Sequence, residues 1–179
     1  GLDSRGTTDL VPQRLTAQSR QSSSKEILHI ANRRSLRLSD YVRRRNGVPL
    51  GAPGSLRNML RRSFGARSFA GFWQHWNPIF GYYLGKYVFV PFKQILPAPV
   101  ALISTFVVTG IIHDVVTMAV RRDVAFLFTP WFLLLGIGVV ISNRVAMDIS
   151  AWSWGVRAIT HASYLGVCLG LAFVLFTVK

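Results

Sequence analysis

His113 and Asp114 stand side by side near the end of an apolar run from Pro99 to Val120. A run of that length is about one bilayer's worth of helix at roughly 1.5 Å per residue. Ionisable groups at such depth cost on the order of 2.5 kcal/mol each, and they face a protein interior, a water-filled cavity or a partner. His113 is therefore the first candidate for chemistry, because an imidazole in such a place can take or give a proton. Thr105, Thr109, His113 and Thr117 recur every four residues, which puts all four on one helix face. Small polar residues also hold membrane helices together, which accounts for the threonines better than for the histidine. Asp114 lies about 100° further round the helix. It is expected to pair with Arg121 or to meet water near the helix end.

A second cluster lies upstream, in Gly71-Phe72-Trp73-Gln74-His75-Trp76-Asn77-Pro78. Two tryptophans three apart, with polar residues between them, mark a membrane-interface segment. The proline ends or redirects any helix there. On physics alone this is an aromatic belt at the entry to a span. His161 opens the last apolar run and reads as a side chain that snorkels to the interface. Cys168 is the sole cysteine, which excludes an intrachain disulfide and a cysteine-rich metal site. It reads as a small core residue.

The elements that must position these residues differ sharply along the chain. Residues 1–76 hold 14 Lys/Arg against four acids, and residues 77–179 hold seven against three, within a total net charge of +14. A basic arm thus joins a hydrophobic block. Without a nucleic-acid recognition motif, and beside such a block, the arm points to anionic lipid or an acidic protein partner rather than to nucleic acid. Its Arg- and Ser-rich, acid-poor composition is that of organellar transit segments. The resulting fold class is an all-α membrane protein with three to four transmembrane helices. An N-terminal basic arm with one or two interfacial helices precedes them. Residues 1–54 form the arm and linker, 55–78 an interfacial helix with the Trp-rich motif, and 79–179 the transmembrane domain. Within the arm, residues 25–45 form a basic amphipathic helix on a membrane surface or stay a solvated, weakly ordered segment. Residues 55–70 start at Ser55 as N-cap and carry arginines that meet anionic headgroups. The spans fall at about 79–96, 99–120, 124–142 and 158–178, with the first the weakest because Lys86, Pro91 and Lys93 lie inside it. The arm's positive charge assigns it to the cytoplasmic, matrix or stromal side, and Arg121, Arg122 and Lys179 return there if 79–96 crosses. The expected location is a mitochondrial inner, plastid or bacterial inner membrane.

The two clusters together carry a resemblance. Phe72-Trp73-x-x-Trp76-Asn77-Pro78, then Tyr82-Tyr83-Leu84-x-x-Tyr87-Val88-Phe89-x-Pro91, then an apolar helix bearing His113, resembles the membrane-bound O-acyltransferase (MBOAT) family. The resemblance covers about residues 64–145. It implies transfer of an acyl group from a thioester, usually acyl-CoA, to a hydroxyl acceptor in a chamber within the membrane. It implies that His113 is the general base and that Asn77 orients the substrate or stabilises the oxyanion. Trp73 and Trp76 then shape the entry for the thioester arm, and Thr109 and Thr117 are substrate contacts beside the base. No metal or prosthetic cofactor is required, with acyl-CoA entering as co-substrate.

A second reading stands beside the enzyme. The family's enzymes are much longer and enclose their chamber with more spans. This chain is then either a catalytic segment, a compact enzyme completed by a partner, or a non-catalytic accessory subunit of a large membrane complex. In the last case the expected partners are membrane lipids and other membrane subunits contacting the arm. A proton or ion channel built on His113 and Asp114 has little support, since the other helices lack matching ionisable residues.

Overall fold

The computed structural model describes residues 37–122 and 126–176. The arm upstream of residue 37, Asp123 in the link after the His113 helix, and Lys179 lie outside the described residues. Every element below belongs to the unit Leu38–Lys179. All regular structure among the described residues is helical.

Four short helices come first: α1 (Leu38–Asn46), α2 (Ser55–Phe64), α3 (Phe69–His75) and α4 (Pro78–Leu84). The amphipathic segment expected over 25–45 appears, within the described residues, as α1. Its Val42 and Asn46 are buried. Asn46 Nδ2 donates to the Ser55 hydroxyl (2.7 Å) and to its carbonyl (3.1 Å), which ties α1 to the start of α2. Ser55 is therefore inside α2 rather than its N-cap. The cap position is Gly54, in the left-handed region at φ 77. The single helix expected over 55–70 stops at Phe64, and α3 begins after a cap in which Ser68 Oγ accepts from Gly71 N–H at 3.1 Å.

From Pro78 the chain runs on through α4, a π-helical turn (Gly85–Phe89) and α5 (Val90–Ile95) with right-handed backbone throughout. Pro91 has no N–H to donate and crowds the carbonyl a turn earlier. The wider turn immediately before it accommodates that break in the ladder. This rod is where a first span was expected at 79–96. It is a continuous helix widened by the π turn, about half-exposed, and carries Lys86 and Lys93, and it is not one of the helices long and apolar enough to cross a membrane.

Among the described residues two helices are long and apolar enough to cross: α6 (Ala98–Arg121, 24 residues) and α8 (Trp154–Phe176, 23 residues). Each is about 35 Å long at 1.5 Å per residue, against a hydrocarbon thickness of roughly 30 Å. Between them α7 (Phe128–Arg144) is apolar but shorter, at 17 residues. α6 and α7 form an antiparallel pair. Gly110 faces Phe128 and Thr129, while Ile103 and Phe106 face Gly136. A Cβ on Gly110 would sit 2.6 Å from the Thr129 Cα, so only glycine allows this crossing. The core lies where the pair meets α3 and α8: Phe106, Phe132, Leu135 and Val139 are buried, with Trp73, Trp131 and Tyr164 packed against them. The Tyr164 hydroxyl donates to the Leu135 carbonyl and the Trp131 indole to the Leu165 carbonyl (3.1 Å), which closes α7 onto α8.

Asp114 holds this arrangement at one end. Its Oδ1 accepts from the backbone N–H of Leu127 (3.1 Å) and Phe128 (2.8 Å). Its Oδ2 accepts from Thr129 N–H (2.8 Å) and Thr129 Oγ1 (2.6 Å). The first turn of a helix leaves its N–H groups without partners. Here one carboxylate from the preceding helix satisfies three of them, and Pro130 has none to offer. The expected pairing of Asp114 with Arg121 or with water is thus replaced by a buried cap, at 1% exposure.

His161 also departs from expectation. It does not snorkel but is fully buried, with Nε2 donating to the Ala66 carbonyl at 3.0 Å and the ring packed on Phe69 and Phe72. Trp154, Arg157 and His161 lie along one face of α8. Their ring or guanidinium N–H groups donate to the carbonyls of Arg61, Gly65 and Ala66. The turn from α2 to α3 is thereby bound to α8 through backbone acceptors, a contact that no periodicity in the sequence announces.

Candidate functional site

The polar stripe of α6 is tied to its own helix. Thr105 Oγ1 donates to the Ala101 carbonyl and Thr109 Oγ1 to the Thr105 carbonyl, both at 2.8 Å. His113 Nδ1 lies 2.8 Å from the Thr109 carbonyl. A carbonyl can only accept, so Nδ1 carries a proton, and in the neutral ring Nε2 holds the lone pair. Among the described residues Nε2 has no hydrogen-bond partner. The ring is held flat against Phe132 (centroids 5.1 Å apart, 28° between planes), beside Phe128 (5.5 Å) and edge-on to Phe80 (6.1 Å). Both orientation and tautomer are therefore fixed by the fold.

A cavity of about 690 Å³ opens in front of this stripe. It takes its walls from α1, α3, α4, the π turn, α6 and α7. Along α6 it runs from Leu102 to Thr117, about 22 Å of helix. All six residues singled out from the sequence line it: His113, Asn77, Trp73, Trp76, Thr109 and Thr117. Apolar side chains such as Leu84, Phe89, Ile112 and Val116 fill much of the rest. An apolar slot with few polar groups is the usual form of a site for an elongated apolar ligand.

Asn77 is the hinge between α3 and α4. Its backbone is left-handed at φ 39, a region asparagine tolerates, and Pro78 follows at the first helical position. Its side chain caps α4, with Oδ1 accepting from Phe80 N–H at 3.2 Å. Because that bond must use the oxygen, the amide Nδ2 is left as the donor available to the cavity. Trp73 is half-buried and packs edge-on against Phe106 at 5.1 Å. Its indole N–H is buried without an acceptor among the described residues. Trp76 stacks on Phe72 at 5.4 Å with 16° between planes. Both tryptophans are walls of the cavity as well as parts of the packing, rather than a simple interfacial belt.

Sequence reasoning missed several lining residues. Tyr41 and Arg45 come from α1, Gln74 from α3 and Asn143 from α7. Arg45 Nη1 donates to Gln74 Oε1 at 2.6 Å, and the Arg45 carbonyl accepts from His75 Nδ1 at 2.9 Å. The run Arg43-Arg44-Arg45 announces charge, but only the docking of Tyr41 on Tyr82 (5.5 Å) decides which arginine turns inward. Burial pushes the His75 pKa down. The Arg45 carbonyl opposes that shift, and the charges of Arg62 and Arg45 reinforce it. Among the described residues no group of three or more His, Cys, Asp or Glu side chains is placed to hold a metal. No family model, curated protein or solved structure matches this chain.

Proposed function

We propose that this chain carries out MBOAT-like acyl transfer, moving an acyl group from a thioester such as acyl-CoA to a hydroxyl acceptor within the membrane. The observation that carries the reading is the state of His113. Its Nδ1–H is pinned to the Thr109 carbonyl and its Nε2 lone pair is unclaimed, in a cavity it shares with Asn77. In the reaction Nε2 takes the proton of the acceptor hydroxyl as the oxygen bonds to the thioester carbonyl carbon. The Thr109 carbonyl stabilises the imidazolium that forms. Asn77 Nδ2 donates to the carbonyl oxygen as negative charge develops there. The carbon–sulfur bond then breaks, the thiolate recovers the proton from Nε2, and ester and thiol leave. The apolar walls hold the acyl chain and keep water away from the thioester.

In this reading α6, α7 and α8 all cross the bilayer, and the Pro78–Ile95 rod packs along them as a re-entrant or interfacial element. The basic, Ser-rich arm supports a mitochondrial inner, plastid or bacterial inner membrane, with the arm on the matrix, stromal or cytoplasmic side. The reading is tested with the purified protein in vesicles, a radiolabelled acyl-CoA, and a long-chain alcohol or diacylglycerol as acceptor. His113→Ala is expected to lose about 10²–10⁴-fold in transfer while still inserting into the membrane. Transfer undiminished in that variant refutes the base role.

One observation favours the alternative, a non-catalytic subunit of a larger membrane complex. Thr105, Thr109 and His113 are each bonded to a carbonyl four residues back, so the stripe is satisfied with no ligand present. That reading expects no transfer by any form of the purified protein and co-purification with a fixed set of membrane subunits.

A further inference from the structure

A second pocket, of about 760 Å³, lies on the other side of α3. Four arginines line it: Arg61 and Arg62 from α2, Arg67 from the α2–α3 turn, and Arg157 from the first turn of α8. His75 and Trp154 complete its polar and aromatic walls. No carboxylate lines it among the described residues. Two of the guanidiniums are held in place by backbone acceptors. Arg157 Nη1 donates to the Gly65 carbonyl at 2.7 Å, and Arg62 Nη1 to the Arg45 carbonyl at 3.1 Å. Four like charges gathered round one hollow raise its potential for an anion, and Asp148 beside Arg67 offsets only part of it. Guanidinium forks match phosphate oxygens in shape as well as charge.

The level of the pocket says which phosphate. Arg157 and Trp154 stand at the entry of α8, one of the two helices long and apolar enough to cross a membrane. Trp152 and Trp154 are each 49% exposed there, the placement of tryptophans at headgroup depth. We infer that this arginine pocket binds the phosphate of an anionic phospholipid headgroup, with the acyl chains lying along the exposed apolar face of α8. The inference uses the membrane placement of α8 and is independent of acyl transfer. A phosphate could also arrive on a soluble compound, and the experiment separates the two sources.

The purified full chain in neutral detergent is titrated with dihexanoyl phosphatidic acid, dihexanoyl phosphatidylcholine and sodium pyrophosphate, with thermal unfolding as readout. Phosphatidic acid is expected to raise the midpoint saturably, and phosphatidylcholine and pyrophosphate to leave it unchanged. Arg61→Gln/Arg67→Gln removes two exposed guanidiniums that make no side-chain hydrogen bond among the described residues. Its midpoint without lipid is expected to match the unaltered protein, with phosphatidic acid binding about tenfold weaker or more. Arg44→Gln/Arg57→Gln removes the same charge outside the pocket and is expected to bind as before. Equal loss in both double variants overturns the pocket in favour of diffuse attraction. Equal response to phosphatidylcholine, whose phosphate is neutralised by its choline, overturns the anionic headgroup, and a saturable response to pyrophosphate as strong as that to phosphatidic acid overturns the lipid as its source.

Discussion

His113 and Asp114 are neighbours in sequence that point to different tasks, and Asp114 makes a forecast in stability. Asp114 spends both carboxylate oxygens on the first turn of α7. Asp114→Ala leaves buried N–H groups without an acceptor and is expected to cost about 2 kcal/mol of stability. Asp114→Asn keeps one acceptor oxygen and is expected to cost less. Unfolding in a denaturing-detergent titration checks both, and an unaltered Asp114→Ala midpoint contradicts the cap. His75 makes a forecast in pH. Its folded pKa lies below the ordinary value of 6.5, because burial and the nearby arginines disfavour the charged ring. The unfolded chain therefore binds more protons between that ordinary value and the depressed folded one, so stability falls as pH drops through this window and levels off below it. The thermal midpoint is expected to decline from pH 7.5 to pH 5 with a shallower slope in His75→Gln. An identical slope in both contradicts the assignment.

Among the elements, the α6–α7 pair depends on close approach more than on apolar content. Gly110 lets the helices touch backbone to backbone, and the Asp114 cap lies one turn further along α6. Gly110→Ala forces the pair apart and is expected to cost about 1–3 kcal/mol. Gly166 and Gly170 on α8 have nothing within 4 Å of an added Cβ. Alanine at either is expected to be neutral or to stabilise by about 0.5–1 kcal/mol. The contrast separates a contact effect from plain helix propensity, and equal effects at Gly110 and Gly170 refute the crossing. The π turn is the other element with a consequence. It precedes Pro91, and Gly85 and Phe89 from it line the main cavity. Such turns concentrate at functional sites, and this one shapes a wall opposite α6.

Across the whole molecule, the sequence made the site more legible than the architecture. The four-residue spacing of Thr105, Thr109, His113 and Thr117 placed them on one face, and all four line one cavity together with Asn77, Trp73 and Trp76. Spacing along one helix survives folding, so that inference needed no tertiary knowledge. The roles of Asp114 and His161 did need it. Each meets backbone groups of a segment that only docking brings near, Leu127–Thr129 in one case and Ala66 in the other. The π turn inside the Pro78–Ile95 rod was not legible either, because apolar content does not reveal where a helix widens ahead of a proline. Among the described residues two helices are long and apolar enough to span, and α7 is a shorter apolar one. The central claim is that the main cavity receives an acyl thioester against His113. Photocrosslinking with a diazirine-bearing acyl-CoA, followed by peptide mapping, tests it most directly. Adducts are expected on cavity residues such as Leu102, Ile112 and Val116 and should be suppressed by excess unmodified acyl-CoA. Labelling confined to the outer face of α8, or unaffected by that competitor, contradicts the claim.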